Sequence, residues 1–287
     1  MTSTAQRPTI AFVGAGRAGC ALAVAIADVG YRVVAVNSRS HEHAATLAAS
    51  IGASVVETPL VAVRGADITF VTIPDQALAS LAETVAASGV SPMGHAVVHC
   101  SARLGPEVLS PLHGVGADIG VMHPLQAMAG AESAARLRGA YFRVEASGRL
   151  RVELAAIVAA LDGHILTVPE QARDLYHAAA VLAGNAPLAL LARGVDLLES
   201  AGVPRAAAHE ALATLLEGAA ANARAQDPAQ ALTGPVVRGD AEAVNAHMAA
   251  LRDHPDALDL YVRLVEEMRR LVDGDHSAKR PALHRVA

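Results

Sequence analysis

The chain has 287 residues, enough for one large domain or two smaller ones. Hydrophobic residues make up 53 % and charged residues 18 %, which is typical of a globular protein and not of a disordered one. The net charge is −5, and the only aromatic side chains with carbon rings are four tyrosines and three phenylalanines. This composition argues against a nucleic-acid-binding surface, which needs a basic face.

The cysteines and the N-terminus indicate a cytoplasmic protein. Cys20 and Cys100 lie in apolar stretches, as expected of reduced core residues. The N-terminus runs directly into a predicted strand, with no basic segment before a long apolar run, so we predict no signal peptide. Charged residues interrupt the alanine-rich stretches, so we predict no membrane span.

The first part of the chain alternates predicted strands and helices. The predicted strands are 9–14, 32–37, 54–57, 67–73, 96–100, 118–122, 140–145 and 164–168. The predicted helices are 18–29, 41–50, 76–87 and 149–161. Such alternation is typical of a mostly parallel sheet with helices on both faces.

Strands disappear near residue 169, where we place a domain boundary. The predicted helices that follow are 170–200, with a kink at Pro187, then 204–224, 240–251 and 255–272. Asp240 is predicted to cap the third of these helices. The chain is therefore predicted to contain an α/β domain over residues 1–168 and an all-helical domain over residues 169–287.

A glycine motif identifies the α/β domain. Gly14, Gly16 and Gly19 form G-x-G-x-x-G between the first strand and the first helix. In this position the motif is the fingerprint of a Rossmann dinucleotide-binding domain, in which backbone N–H groups approach a pyrophosphate. The alternative is a glycine-rich turn that holds no ligand.

The end of the second strand favours NADP(H) over NAD(H). An NAD-binding protein usually has an acidic residue there, but this chain has Ser38, Arg39 and Ser40 after Asn37. Arg39 can pair with a 2′-phosphate and the two serines can donate hydrogen bonds to it. Arg17 could stack on adenine or add positive charge. The alternative is that Arg39 is an ordinary solvated residue.

Pro74 and Asp75 follow the predicted strand 67–73. In this architecture the ends of the central strands face the cofactor, so both residues are predicted cofactor neighbours. Asp75 could equally be no more than the cap of the next helix.

Three polar clusters could carry chemistry. They are His99 to Ser101, His123 to Gln126, and the helical set Arg173, Tyr176, His177 and Asn185. Residues four apart share a helix face, so Arg173 and His177 align in an otherwise apolar stretch. This helical set is either part of a functional site or a group of polar side chains that hydrogen-bond to one another between the domains.

Reduction of a carbonyl or imine needs one proton donor and a few orienting donors. His123 and His177 are the candidate acids, since histidine ionises near neutral pH. Ser101 and Asn185 are candidate orienting donors, and Arg238 is the candidate partner of a substrate carboxylate.

Thirteen histidines raise the question of a metal site. None has HExxH spacing, and His41 and His43 point to different faces of a predicted helix. We predict no bound metal.

Seven segments in order carry a resemblance to a known family: GAGRAG, NSRS, IPD, HCSA, MHPLQ, LYHAAAVLAGN and LTGPVVRGD. Together they resemble bacterial Rossmann-like oxidoreductases with a helical C-terminal domain of unknown function. The chain is more distantly similar to the 6-phosphogluconate dehydrogenase-like group, which includes pyrroline-5-carboxylate reductase, ketopantoate reductase and prephenate dehydrogenase. Some members of the family are regarded as an alternative ketopantoate reductase that uses NADPH.

The resemblance implies site residues in the helical domain. It implies that the loop with Thr233, Gly234 and Arg238 closes the substrate site. Independently of the resemblance, Gln126 and Tyr176 are further candidate substrate contacts. Several relatives carry a catalytic lysine on the first helix of this domain, where this chain has Arg173. Arginine does not readily release a proton, so the acid role passes to His177 or to water.

The sequence therefore predicts a cytoplasmic, homodimeric NADPH-dependent reductase that acts on a small 2-keto acid, with ketopantoate as the leading candidate. Dimerisation is expected through the C-terminal helices, and neither nucleic acid nor membrane is an expected partner. One alternative is a reductase of a cyclic imine or a prephenate-like acid. The other is a non-catalytic protein that senses NADP(H).

Overall fold

The computed structural model describes residues 7–89 and 93–274. The chain divides into two compact units, residues 1–184 and 185–287. The last strand among the described residues ends at Leu166, and the described elements after it are helices. The first unit extends past the predicted boundary at residue 169. Arg173 and Tyr176, which lie in this extension, are hydrogen-bonded to residues of the sheet.

The first unit is built on one sheet of eight strands in the order β3-β2-β1-β4-β5-β6-β7-β8. All neighbouring pairs among them are parallel except β6 and β7. The strands are β1 (Ile10–Val13), β2 (Val33–Asn37), β3 (Ser54–Val55), β4 (Ile68–Val71), β5 (Ala96–His99), β6 (Asp118–Pro124), β7 (Tyr141–Glu145) and β8 (His164–Leu166). The predicted Rossmann α/β fold class is confirmed.

Helices cover both faces of this sheet. They are α1 (Arg17–Asp28), α2 (His41–Ile51), α3 (Pro59–Gly65), α4 (Leu78–Ala86), α5 (Ser110–Gly114) and α6 (Gly148–Ala160). Helix α7 (Arg173–Gly184) follows β8 and contributes no buried residue. The short helices α3 and α5 were not predicted, because their few residues carry no clear apolar period.

The central strands are buried on both sides. Ile10 and Phe12 belong to one apolar cluster, whereas Ala11 and Val13 belong to a second cluster. Successive residues of a strand point to opposite faces, so the two clusters form the two layers of core between the sheet and its helices. Phe12 stacks on Phe70 of β4 with ring centroids 5.4 Å apart.

The secondary structure described in the second unit, up to residue 274, is helical. The helices are α8 (Ala186–Ser200), α9 (Arg205–Ala225), α10 (Pro228–Ala231), α11 (Ala241–Ala250) and α12 (Pro255–Asp273). The single helix predicted over 170–200 is broken at Asn185. Pro187 lies in the first turn of α8, where a residue makes no helical hydrogen bond through its N–H, so the proline removes none. Asp240 caps α11 as predicted, since its carboxylate accepts from the Ala243 N–H at 3.0 Å.

By length and composition alone, one helical stretch in the described part of the chain, Glu170–Ser200, could cross a membrane. The sequence-based expectation of no membrane span did not anticipate this. One such stretch is weak support for a membrane protein, because a helix covered by a protein partner has the same composition. The break at Asn185 also divides the stretch into α7 and α8.

Candidate active site

The glycine loop between β1 and α1 combines two tightly packed positions with one open position. Gly14 has φ +111°, and a Cβ placed there would lie 2.7 Å from the Thr72 carbonyl oxygen. A Cβ at Gly19 would collide with the Gly14 carbonyl, whereas no atom lies within 4 Å of the Cβ position at Gly16. Gly14 and Gly19 therefore allow close packing, and Gly16 leaves the N-terminus of α1 free to receive a ligand.

A cavity of about 1080 Å³ opens beside this loop. Its lining includes residues that follow β1, β2 and β4, and it brings together six of the predicted cofactor residues: Gly14, Gly16, Ser38, Arg39, Ser40 and Pro74. The predicted cofactor residues Arg17, Gly19 and Asp75 are not part of the lining. The glycine loop and the Ser-Arg-Ser segment, which both line the cavity, are suited to the pyrophosphate and 2′-phosphate of a dinucleotide.

Asp75 and Ser101 are joined by a hydrogen bond. The Ser101 hydroxyl donates to the Asp75 carboxylate at 2.7 Å and accepts from the Leu104 N–H at 3.0 Å. Helix α4 begins at Leu78 with Ala77 as its N-cap, so Asp75 is not its cap. A hydroxyl has one hydrogen to donate, so the predicted role of Ser101 as an orienting donor would require this bond to break.

His99, at the end of β5, is held in one neutral tautomer. It is fully buried, its Nε2 lies 2.9 Å from the Gly105 carbonyl, and its Nδ1 accepts from the Ser101 N–H at 3.2 Å. Burial lowers the pKa of His99, which favours the neutral ring. This histidine therefore orders the loop after β5.

His123 and Tyr176 form a pair at the carboxyl end of β6. The Tyr176 hydroxyl lies 2.7 Å from Nδ1 of His123, and the rings meet edge to face with centroids 5.6 Å apart. His123 lies near the end of β6 and Tyr176 lies in the first turn of α7. Sequence reasoning proposed both as site residues but did not predict their contact, because 53 positions separate them.

The surroundings of this pair determine its protonation. Burial, helped by the nearby charge of Arg143 and by His177 and His99, lowers the pKa of His123 to about 4. Burial raises the pKa of the Tyr176 hydroxyl. At neutral pH the pair therefore consists of a neutral imidazole and a protonated phenol.

An ion-pair chain beside His123 was missed by the sequence analysis. Arg143 of β7 is fully buried and donates to the Ser101 carbonyl at 2.9 Å and the Leu104 carbonyl at 2.7 Å. It also pairs with Glu145, which in turn binds Arg173 at 2.5 Å. The signal was present in YFRVE, where two charges two positions apart interrupt an otherwise apolar predicted strand.

The other predicted catalytic and substrate residues are divided between the two units. His177 follows Tyr176 on α7, while the Gln126 amide donates to the Arg136 carbonyl at 3.1 Å. The remaining four belong to the second unit: Asn185, Thr233, Gly234 and Arg238.

The loop between α10 and α11 holds three of those residues. Gly234 has φ +100°, a backbone conformation that favours glycine, and the Thr233 and Arg238 side chains are exposed. Their predicted role in binding substrate stays a prediction.

Within residues 7–89 and 93–274, no group of three or more His, Cys, Asp or Glu side chains could hold a metal ion.

Comparison with known proteins places this fold in a family. A model described as a Rossmann-like domain matches residues 2–124, and a model described as a domain of unknown function, DUF2520, matches residues 140–268. The chain belongs to the family that joins these two domains. The resemblance stated from the sequence motifs is thereby confirmed. A search of curated proteins gave no match.

Solved structures share the fold over nearly the whole chain. A protein named as an NADP oxidoreductase from Bacteroides fragilis is 26 % identical, with a TM-score of 0.75 over 92 % of this chain and 98 % of that one. A Thermotoga maritima protein is 23 % identical, with a TM-score of 0.70 over 93 % and 99 % of the two chains. A Plasmodium falciparum pyrroline carboxylate reductase with NADP bound is 14 % identical, with a TM-score of 0.62 over 92 % and 98 %.

Proposed function

We propose that this protein is an NADPH-dependent oxidoreductase that reduces a small 2-keto acid, with 2-ketopantoate as the first candidate. The oxidoreductase class and the NADP(H) cofactor agree with the Bacteroides fragilis and Plasmodium falciparum structures. The proposal rests on the positions of two features, a cavity and a polar pair, at the same sheet. The cavity, which is large enough for a dinucleotide, is lined by residues that follow β1, β2 and β4. The His123–Tyr176 pair lies at the end of β6. Ligands of open α/β sheets bind at the carboxyl ends of the strands.

The chain's own residues suit the cofactor. The backbone N–H groups at the N-terminus of α1, next to Gly16, would receive the pyrophosphate, and Arg39 would pair with the 2′-phosphate. Ser38 and Ser40 lie beside Arg39 on the cavity wall and would donate further bonds. When bound, NADPH supplies the hydride, and the protein must supply the proton.

Replacing Arg39 with alanine is expected to weaken NADPH binding by about 10- to 150-fold, because a charge-assisted hydrogen bond contributes about 1.5–3 kcal/mol. NADH affinity should stay unchanged, since NADH has no 2′-phosphate. Titration of cofactor fluorescence measures both affinities. Arg32→Ala is the control, because Arg32 is also exposed but lies just before the opposite end of β2. An unchanged ratio of the two affinities in Arg39→Ala would exclude this assignment.

Tyr176 is the proposed proton donor. Its hydroxyl is protonated at neutral pH, whereas the neutral His123 ring is better suited to hold the hydroxyl in place than to act as an imidazolium acid. A hydroxyl has one hydrogen, so Nδ1 of His123 would carry a hydrogen and donate it to the Tyr176 oxygen. The Tyr176 proton would then pass to the carbonyl oxygen as the hydride reaches the carbonyl carbon. His177, the other predicted acid, is the second candidate.

Arg238 is the proposed partner of the substrate carboxylate, with Thr233 and Gly234 in the same loop. Arg238→Ala should raise the substrate KM by about 10- to 150-fold and leave NADPH affinity unchanged, because a charge-assisted bond of about 1.5–3 kcal/mol is removed. Steady-state kinetics at saturating NADPH measure the change. Arg224→Ala removes an exposed arginine of α9 and is the matched control. An Arg238→Ala enzyme with the wild-type KM would remove the arginine from this role.

The reductase proposal is tested by NADPH oxidation with ketopantoate, pyrroline-5-carboxylate and a panel of 2-keto acids, with NADH in parallel. Turnover with ketopantoate would identify the substrate, and turnover with a cyclic imine or prephenate would support the alternative substrate classes. Tight NADPH binding without turnover on any of these compounds would favour the sensing alternative.

A homodimer is proposed because apolar side chains are exposed on α7 and α8. Leu175 and Leu182 of α7 and Leu188 and Leu190 of α8 are exposed leucines in the described chain. Such apolar surface is typical of an interface. Light scattering should give twice the chain mass, and Leu188→Glu should shift the protein towards the monomer. A monomeric wild type at all accessible concentrations would contradict the homodimer.

A further inference from the structure

Arg173, the first residue of α7, makes a dense set of ion pairs. Its Nη2 lies 2.5 Å from Oε2 of Glu145 and its Nε lies 3.2 Å from Oε1 of the same carboxylate. Its Nη1 donates to Glu107 at 2.8 Å. The two-point contact with Glu145 is the bidentate geometry that restricts an arginine most strongly.

Glu145 is itself held from the other side. Its carboxylate also pairs with Arg143, whose guanidinium is buried and bonded to two backbone carbonyls. In the antiparallel register of β6 and β7, Arg143 lies opposite His123, and Glu145 lies opposite Val121. Alternate residues share a face of the sheet, so His123, Arg143 and Glu145 form one cluster on that face.

Helix α7 depends on polar contacts for its position against these strands. None of its twelve described residues is buried, so apolar packing within the first unit holds it weakly. Tyr176 is three positions after Arg173 and therefore lies on the same side of the helix. The first turn of α7 thus meets the sheet at two points, Arg173 on Glu145 and Tyr176 on His123.

We propose that Arg173 and Glu145 are positioning residues, whose ion pair holds the first turn of α7 so that the Tyr176 hydroxyl meets His123. The effect of this ion pair on turnover rests on the proposed role of Tyr176 as proton donor. Its effect on the Tyr176–His123 contact does not depend on any reaction. A displacement of about 1 Å at a reacting group can cost about 100-fold in rate, so the ion pair would matter to kcat.

Gly105 provides a way to move Arg173 without removing a charge. A Cβ at Gly105 would collide with the guanidinium of Arg173 and with the Glu107 carboxylate. Gly105→Ala should therefore displace the guanidinium while Arg173, Glu107 and Glu145 all remain. The Gly105 backbone has a negative φ, so alanine introduces no left-handed strain there.

The test compares Arg173→Gln, Arg173→Lys and Gly105→Ala with Arg205→Gln. Arg205 also pairs with two carboxylates, Asp196 and Glu199, but its side chain is 56 % exposed and lies in the second unit. The chain has four tyrosines, so protein labelled at the tyrosine Cζ carbon gives four NMR signals, and Tyr176→Phe identifies one of them. That signal reports the hydrogen bond of the Tyr176 hydroxyl.

Arg173→Gln and Gly105→Ala are expected to move the Tyr176 signal towards that of an exposed tyrosine. They should lower kcat by about 10- to 100-fold, with substrate KM and NADPH affinity within about twofold of wild type. Arg173→Lys should restore part of kcat, and Arg205→Gln should match wild type in every measurement. If Arg173→Gln does not fold, the Gly105→Ala result decides.

A Tyr176 signal unchanged in folded Arg173→Gln or Gly105→Ala would overturn the positioning role, whatever happens to turnover. If kcat falls while that signal stays unchanged, Arg173 acts on the reaction directly and not by positioning Tyr176. If the wild type shows no turnover, the reductase proposal fails alone, and the NMR comparison still decides the role of the ion pair.

Discussion

Replacing Tyr176 with phenylalanine is expected to lower kcat by about 10²- to 10⁴-fold, the range that a positioned proton donor contributes. Phenylalanine keeps the ring that packs edge to face on His123 and removes only the hydroxyl 2.7 Å from Nδ1. NADPH affinity should not change, since Tyr176 does not line the cavity proposed to bind the cofactor. Steady-state kinetics and cofactor titration measure the two effects.

A second tyrosine–histidine pair provides the control. The Tyr261 hydroxyl lies 2.8 Å from Nδ1 of His247, in an edge-to-face pair on α11 and α12. Tyr261→Phe removes the same type of hydrogen bond and should leave kcat at the wild-type value. If Tyr176→Phe kept kcat within about threefold of wild type, the proton donor would instead be His177 or water.

The pH dependence of turnover separates Tyr176 from a histidine acid. The pKa of His123 is lowered to about 4, so its ring stays neutral between about pH 5 and 8. Protonation of His123 would then reduce activity only as the pH falls towards 4. A histidine acid with an ordinary pKa would instead lose its proton, and its activity, as the pH rises through about 6.5.

Glu145→Gln is expected to lower the free energy of unfolding by about 3 kcal/mol, because breaking a buried ion pair leaves a charge uncompensated. The charge concerned is the Arg143 guanidinium, which is fully buried. The value is at the lower end of the usual range because the Glu145 side chain keeps a fifth of its surface exposed. Urea denaturation measures the change.

Glu153→Gln is the matched control for this effect on stability. Glu153 pairs with Arg149 one helical turn away on α6, and the Arg149 side chain is largely exposed. An i,i+4 pair whose arginine lies in solvent contributes about 0.3–0.5 kcal/mol, since neither charge is left fully buried when the pair is broken. If Glu145→Gln cost no more than Glu153→Gln, the ion-pair chain would not stabilise the fold.

The glycine loop and the central strands could be predicted because their signals are local. Gly14, Gly16 and Gly19 are close in sequence, and each has a distinct steric role in one turn. The apolar runs of β1, β4 and β5 are buried on both faces, so each is recognisable without its neighbours. Asp240 could be assigned as a cap for the same reason, since its partner lies three residues away.

The helix break at Asn185 and the partner of Ser101 could not be predicted in this way. Pro187 signals an interruption, but whether the chain bends or starts a new helix depends on the residues around it. Ser101 was expected to face a substrate, whereas its hydroxyl donates to Asp75, which follows a different strand.

The residue types at the candidate site follow from the sequence, but their pairing does not. His123, Tyr176 and Arg39 could each be selected from motifs and from the ends of predicted strands. The contact of His123 with Tyr176 and the chain from Arg143 through Glu145 to Arg173 depend on the register of β6 and β7 and on how α7 meets them. Burial at that meeting point also sets the pKa of His123. The contacts and the pKa shift both arise from packing between residues far apart in the sequence, and no short stretch of sequence indicates that these residues meet.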